Sequence, residues 1–317
     1  MSRYGLPLIV VILSLISLFI GVIPLGWKGL LALEESATHV LLVSRIPRVI
    51  SLLISGMSLA VAGSIMQLIT ANRFVTPSTG STTEWAKLGL LITMIYAPQA
   101  NSITKTVFTF IFAFIGTLSF LFIIQKARLK DVVLVPLVGI LYGNIVSSLT
   151  THVAYQKDLI QSMSSWIQGS FGLIMKGRYE ILYFSVPFFI LSLLYANRFT
   201  VVSMGKDISS NLGIRYMATI QVGLVIVSVI SSLVLVTVGV IPFIGLVIPN
   251  LVSIFKGDNL EKNTFTIALC GGLFLLVCDI LARLLLYPFE VPISITAAVL
   301  GCILFLFLLL YRRYHAT

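Results

Sequence analysis

Charge is scarce in this chain. Asp, Glu, Lys and Arg make up 10% of its 317 residues, against about 25% in a soluble domain. A chain so poor in charge cannot cover its own surface in water. That excludes soluble domains, although the length alone would allow two, and it excludes a disordered or collagen-like chain. Cysteine is nearly absent. Cys270, Cys278 and Cys302 all lie in apolar runs and none sits at metal-ligand spacing, so they read as packing residues and no metal site is expected. The histidines His39, His152 and His315 are scattered. There is no H-E-x-x-H, and no G-x-x-x-x-G-K-[ST] to cradle ATP phosphates. No nucleophile has a base beside it. The chain is therefore not expected to be an enzyme or to bind a cofactor itself.

What is present is hydrocarbon. Hydrophobic residues reach 58% and mean hydropathy is +1.07. Apolar runs of about 20 residues, the length of a membrane-crossing helix, recur from end to end. The expected fold is all-α and polytopic, with about ten spans: Leu6–Leu25, Ile46–Ile69, Ala86–Ala97, Ile103–Ile124, Val132–Ala154, Ile181–Ala196, Ala218–Val238, Ile244–Phe255, Thr264–Leu286 and Ile293–Tyr311. The first run, after Arg3, lacks a small-residue cleavage site and reads as a retained helix, not a signal peptide. Two spans are short, and Pro98, Gly239, Pro242 and Pro249 punctuate them. Such pieces survive in a membrane only against protein or a water-filled path; a misdrawn boundary is the other reading.

The net charge of +10 fits basic loops facing anionic lipid, with no nucleic acid as partner. More of the Lys and Arg fall inside when both termini are cytoplasmic, so the chain is expected N-in and C-in. Tyr155–Tyr179 is then the longest outer loop, with room for a short interfacial helix. Phe199–Met217 is the longest inner loop. Arg45, Arg48 and Arg283 stay outside, against the bias, and call for a partner.

Several constellations leave two readings each. Asp279 and Arg283 stand four apart on one helical face, either a structural pair or an ion-coupling site. Gly56, Ala60 and Ser64, with Gly63 beside them, let backbones approach closely, within the chain or between two chains. Asn144, Ser148 and Thr151 (or His152) form a polar stripe in the fifth span. It lines a water path, or its hydroxyls bond back to their own helix.

Arg45-Ile-Pro-Arg48, then Ser55-Gly56 and Ala62-Gly63-Ser64-Ile65-Met66-Gln67, resemble the opening of the FecCD family. These are permease subunits of bacterial ABC importers for iron–siderophores, haem and cobalamin. In the same order follow Gly205-Lys206-Asp207-Ile208-Ser209-Ser210-Asn211-Leu212-Gly213, the run Gly239 to Pro249 with Asn250 where the family usually has His, Asp279-Ile280-Leu281-Ala282-Arg283, and Glu290-Val291-Pro292-Ile293. The segment Asn72 to Gly89 departs from the common N-P-L-A-x-P pattern and resembles the branch handling catecholate or petrobactin-type siderophores.

The resemblance implies a single permease domain, residues 1–317, in the bacterial cytoplasmic membrane. It implies a second permease subunit, identical or sister, and two ABC ATPases carrying ATP and Mg. An extracytoplasmic siderophore-binding lipoprotein would deliver the cargo. Within loop 199–217, Gly205, Lys206, Asp207, Ile208, Asn211, Leu212 and Gly213 would form a short helix docked on the ATPase. Arg45, Arg48 and Arg283 would receive acidic residues of the binding protein. Asn144, Ser148 and Thr151 would face the path, with Met66 and Gln67 near its inner part. Two competing classes are an ion-coupled secondary transporter using Asp279 and a non-transporting scaffold.

Overall fold

The computed structural model describes residues 5–21, 35–127, 131, 133–257 and 259–315. Arg3, the end of the first apolar run at Leu25, and Val132 lie outside the described residues. The described chain is helical, with isolated bridges at Gln168–Val240 and Leu286–Phe289. In chain order the helices are α1 (Gly5–Phe19), α2 (Glu35–Val40), α3 (Ile46–Ile69), α4 (Thr82–Tyr96), α5 (Ser102–Lys126), α6 (Leu134–Gln156), α7 (Ile160–Ile167), α8 (Ser185–Val202), α9 (Lys206–Asn211), α10 (Tyr216–Thr237), α11 (Ile244–Lys256), α12 (Leu260–Leu284) and α13 (Ile293–His315). All ten expected spans have a helix. Among the described residues seven segments are long and apolar enough to cross a membrane, and α1 and α11 are shorter apolar helices. α4, with 15 residues, covers the remaining short span. The short helix expected in the loop Tyr155–Tyr179 is α7.

α3 is the axis of the bundle, packed against α8, α10, α11 and α12. Its small residues make this possible. A Cβ placed on Gly56 would come within 2.5 Å of the Gly271 carbonyl oxygen of α12, and one on Gly63 would meet the Gly245 backbone of α11 closer still. The stripe is thus spent inside the chain, on α11 and α12, where dispersion between touching backbones holds helices together in hydrocarbon.

Proline shapes both ends of this axis. Pro47 has no N–H for the Val43 carbonyl one turn earlier. A π-turn at Leu41–Arg45 precedes it, and the Val43 oxygen instead accepts the Lys176 N–H at 3.0 Å. Pro249 lies inside α11 without ending it. The Gly245 carbonyl that Pro249 leaves without its helical partner accepts from Gln67 Nε2 of α3 at 3.3 Å. An interrupted span is tolerated here because a neighbouring helix satisfies the freed group.

The chain between α3 and α4 is folded inward. Asn72, Val75, Thr76 and Ser81 are buried. Thr79 Oγ1 donates to the Phe74 carbonyl at 3.1 Å and accepts the Thr76 N–H at 2.8 Å. Asn250 Nδ2, on α11, donates to the Arg73 carbonyl at 2.9 Å, tying this loop to the second short helix. Asn250, where the family pattern has His, is therefore a helix-to-loop fastener.

Candidate functional site

At one end of the bundle five charged side chains converge. Arg48, in the first turn of α3, donates through Nε and Nη2 to Asp279 Oδ1 of α12, at 3.1 and 2.8 Å. Its Nη1 reaches both oxygens of Glu290, in the α12–α13 loop, at 3.0 and 2.8 Å. Arg283 takes the other oxygen of Asp279 and also bonds the Ser17 hydroxyl and the Ser17 and Ile20 carbonyls of the α1 end. Arg45 donates to the Ile20 carbonyl. Among the described residues the cluster holds three guanidinium groups and two carboxylates.

Burial changes the expectation for these arginines. Arg45, Arg48 and Arg283 are only 7%, 9% and 3% exposed. Each of the three has partners within the chain. Asp279 is 1% exposed and clamped from both sides, so the Asp279–Arg283 spacing marks a structural pair that is really a triad. Glu290 was legible only as a landmark; nothing local to it in sequence points to Arg48, 242 residues away.

At the opposite end the loop between α8 and α10 forms the short helix α9. Gly205 and Gly213 bracket it with φ of +107° and +74°, a region L residues rarely adopt. They supply the sharp turns into and out of the helix. Ser209 is buried and donates to the Gly205 and Val201 carbonyls, anchoring the helix to α8. Lys206, Asp207, Asn211 and Gly213 are not buried, and the apolar Ile208 and Leu212, one turn apart, are exposed at 47% and 63%. An anchored inner face with a bare apolar outer face is what a docking knob requires.

Asn144, Ser148 and Thr151 are exposed along α6 and line one groove of about 820 Å³ with Ser147, His152, Tyr155 and Ile160. The two readings of this stripe coexist: Ser148 and Thr151 hydroxyls donate to the Asn144 and Ser147 carbonyls at 2.8 and 2.9 Å, while their side chains still face outward. The other two residues expected on the path are elsewhere. Met66 is fully buried, its methyl against Gly80. Gln67 is half-buried and holds α11 through Gly245. Met66 therefore packs, and Gln67 fastens, because both lie on the faces of α3 turned to neighbouring helices. Sequence reasoning also passed over the ion pair Glu84–Lys87 at 2.7 Å on α4, which the i, i+3 spacing could have revealed.

The model of the FecCD transport family matches residues 9–311. The chain is 45% identical over 314 residues, 99% of both chains, to the petrobactin import system permease protein YclN of Bacillus subtilis (strain 168). It is 42% identical over 295 residues, 93% of this chain and 94% of the other, to the ferric-anguibactin transport system permease protein FatD of Vibrio anguillarum. Among solved structures it is similar to an inward-facing metal-chelate type ABC transporter, with TM-score 0.82 and 25% identity over 97% of this chain and 98% of that one. None of these relatives supports the ion-coupled carrier that Asp279 raised. The chain belongs to the FecCD transport family and is a permease subunit of an ABC importer.

Proposed function

We propose that this chain carries a ferric siderophore of the catecholate or petrobactin class across the bacterial cytoplasmic membrane, paired with a second permease subunit. The observation that carries the substrate class is the near-full-length similarity to permeases named for petrobactin and anguibactin. In this reading both termini are cytoplasmic. α9 faces the ATPase, and Ile208 and Leu212 seat in its groove, so that ATP-driven closure is felt in the membrane through α8 and α10. ATP and Mg stay on the ATPase; this chain responds because its two conformations contact that partner differently.

The exposed polar groove of α6 supplies one wall of a path whose other wall is the second permease. Siderophore fills the iron's coordination sphere, so hydroxyls and an amide suit passage better than metal ligands. Arg45 and Arg48 lie on the extracytoplasmic side and receive acidic residues of a siderophore-binding lipoprotein. Arg48 has a partly exposed carboxylate neighbour, Glu290, with 30% of its side chain open. Arg283 instead holds Asp279 and the α1 end in place.

The test is reconstitution with candidate ATPase, second-permease and siderophore-binding subunits, followed by radio-iron uptake. ATP-dependent uptake of ferric petrobactin, exceeding that of a ferric hydroxamate, is expected. Equal uptake of both chelates would remove the substrate class, and uptake driven by an ion gradient without ATP would remove the mechanism.

A further inference from the structure

Arg198 and Arg215 differ from the arginines of the charged cluster. Arg198 lies near the end of α8 and Arg215 immediately precedes α10, so both stand at the end of the bundle that carries α9. Both side chains are exposed. Among the described residues neither makes an ion pair. The Arg198 guanidinium lies over the Tyr195 ring, 4.7 Å from its centroid. That cation–π contact holds the side chain in place and uses none of its N–H donors.

The two arginines line one cavity of about 470 Å³ between α8 and α10, together with Tyr195, Gly213, Ala218, Thr219 and Val222. Among the described residues no acidic side chain lines it. Its polarity is graded along the helices. The guanidinium groups and Gly213, the exit turn of α9, stand at the loop end. Val222 lies seven residues beyond Arg215, about 10 Å along the helix axis, and with Ala218 it makes the deeper wall apolar. The wall continues into bare hydrocarbon-facing surface: Leu194, one turn before Arg198, is 72% exposed, and Met217 is exposed too. Among the described residues, the span ending in α8 is the least covered by its own chain of the seven long spans. Two cations without counter-charge, above an open apolar wall at a membrane-helix end, match an amphiphile with an anionic head.

We propose that this cavity seats the head group of an anionic phospholipid, with Arg198 and Arg215 on the phosphate and the acyl chains along the exposed apolar side of α8 and α10. Guanidinium suits phosphate because it donates two parallel N–H bonds and stays charged. A zwitterionic lipid would bring an ammonium group for which the cavity offers no carboxylate. Basic pockets between membrane helices on the cytoplasmic side are a recognised place for anionic head groups. Because Gly213 lines the cavity, the lipid touches the backbone that leads out of α9. That the leaflet is the cytoplasmic one rests on the orientation proposed above; the binding itself does not.

The probe is dioleoyl-phosphatidylglycerol, titrated into the purified full-length protein in a neutral detergent, with lipid-bound species counted by native mass spectrometry. The first molecule should bind more tightly than dioleoyl-phosphatidylcholine. Arg198→Gln and Arg215→Gln should each weaken it about fivefold, the worth of one basic side chain at an anionic surface. Lys157→Gln, in the loop Tyr155–Tyr179, removes the same charge elsewhere and should leave the affinity unchanged. Ala218→Trp keeps both arginines but fills the cavity, and should weaken binding as well. Equal affinity for the two lipids, an equal loss in Lys157→Gln, or undiminished binding in Ala218→Trp would overturn the site. Displacement of the lipid by inorganic phosphate at equal concentration would make the occupant a small anion instead. Unchanged lipid affinity in the arginine variants, with loss of ATPase binding, would make it an acidic segment of the ATPase. Either result sinks the lipid. An inverted topology in cysteine labelling would move the site to the other leaflet and leave this binding result standing, so the two failures are distinct.

Discussion

Asp279 accepts from two guanidinium groups in a place where water hardly reaches, and that arrangement decides what substitutions there can report. Breaking a buried ion pair leaves an uncompensated charge and costs about 3–5 kcal/mol. Arg48→Ala strands Glu290 and halves the neutralisation of Asp279. It is expected to lower stability by about that amount, measured by chemical or thermal unfolding in detergent. Glu290→Gln should cost only about 1 kcal/mol, because Glu290 keeps 30% of its side chain in solvent and exposed pairs contribute little. A loss no larger in Arg48→Ala than in Glu290→Gln would show that the triad does not hold the bundle end. The same numbers bear on docking: a charge reversal at Arg48 unfolds before it reports on a partner, so binding-protein affinity is better probed at Glu290 and at the partner's own acidic residues.

Elements meet here by backbone approach on one side and by an exposed apolar knob on the other. Gly56→Val puts branched carbons where the Gly271 carbonyl already stands. Overpacking of this kind costs about 1–3 kcal/mol and should part α3 from α12. Gly5→Ala, with nothing within 4 Å of its added carbon, is the neutral control. An unfolding midpoint equal in the two variants would refute the packing account. Leu212→Asp is the opposite kind of change, made on a side chain 63% exposed. It should leave the permease fold intact while uptake falls and ATP hydrolysis loses its stimulation by loaded binding protein. Normal coupled uptake in that variant would remove α9 from the ATPase interface.

Orientation and conformational change belong to the whole molecule. With Cys270, Cys278 and Cys302 replaced, a single cysteine in the loop Phe199–Met217 should react with an impermeant reagent only after the cells are opened. One in the loop Tyr155–Tyr179 should react in intact cells. The reverse pattern would invert the topology. Cysteines at Asn144, Ser148 and Thr151 should change accessibility between ATP-bound and ATP-free complexes, if the α6 groove faces the second permease as proposed. Constant protection in both states would make that face a static helix contact.

The long spans were legible because the length and hydropathy of a run are local, and among the described residues seven segments are long and apolar enough to cross a membrane. The turns around α9 were legible for a similar reason: Gly205 and Gly213 mark backbone that other residues rarely adopt. α11 was flagged by Pro249, but its continuation past that proline rests on Gln67, which belongs to another helix. What only the tertiary structure decided is which faces meet. The small-residue stripe of α3 could have served a second chain, and the rotation of α3 against α11 and α12 assigns it inward. The same rotation buries Met66. Arg48 finds Glu290 and Asp279 because α3, α12 and the α12–α13 loop end side by side, and Arg198 shares a cavity with Arg215 because α8 packs against α10. Sequence spacing carries contacts one or two turns apart along a helix; contacts between helices depend on how they turn against one another, which is settled only when the whole bundle is packed.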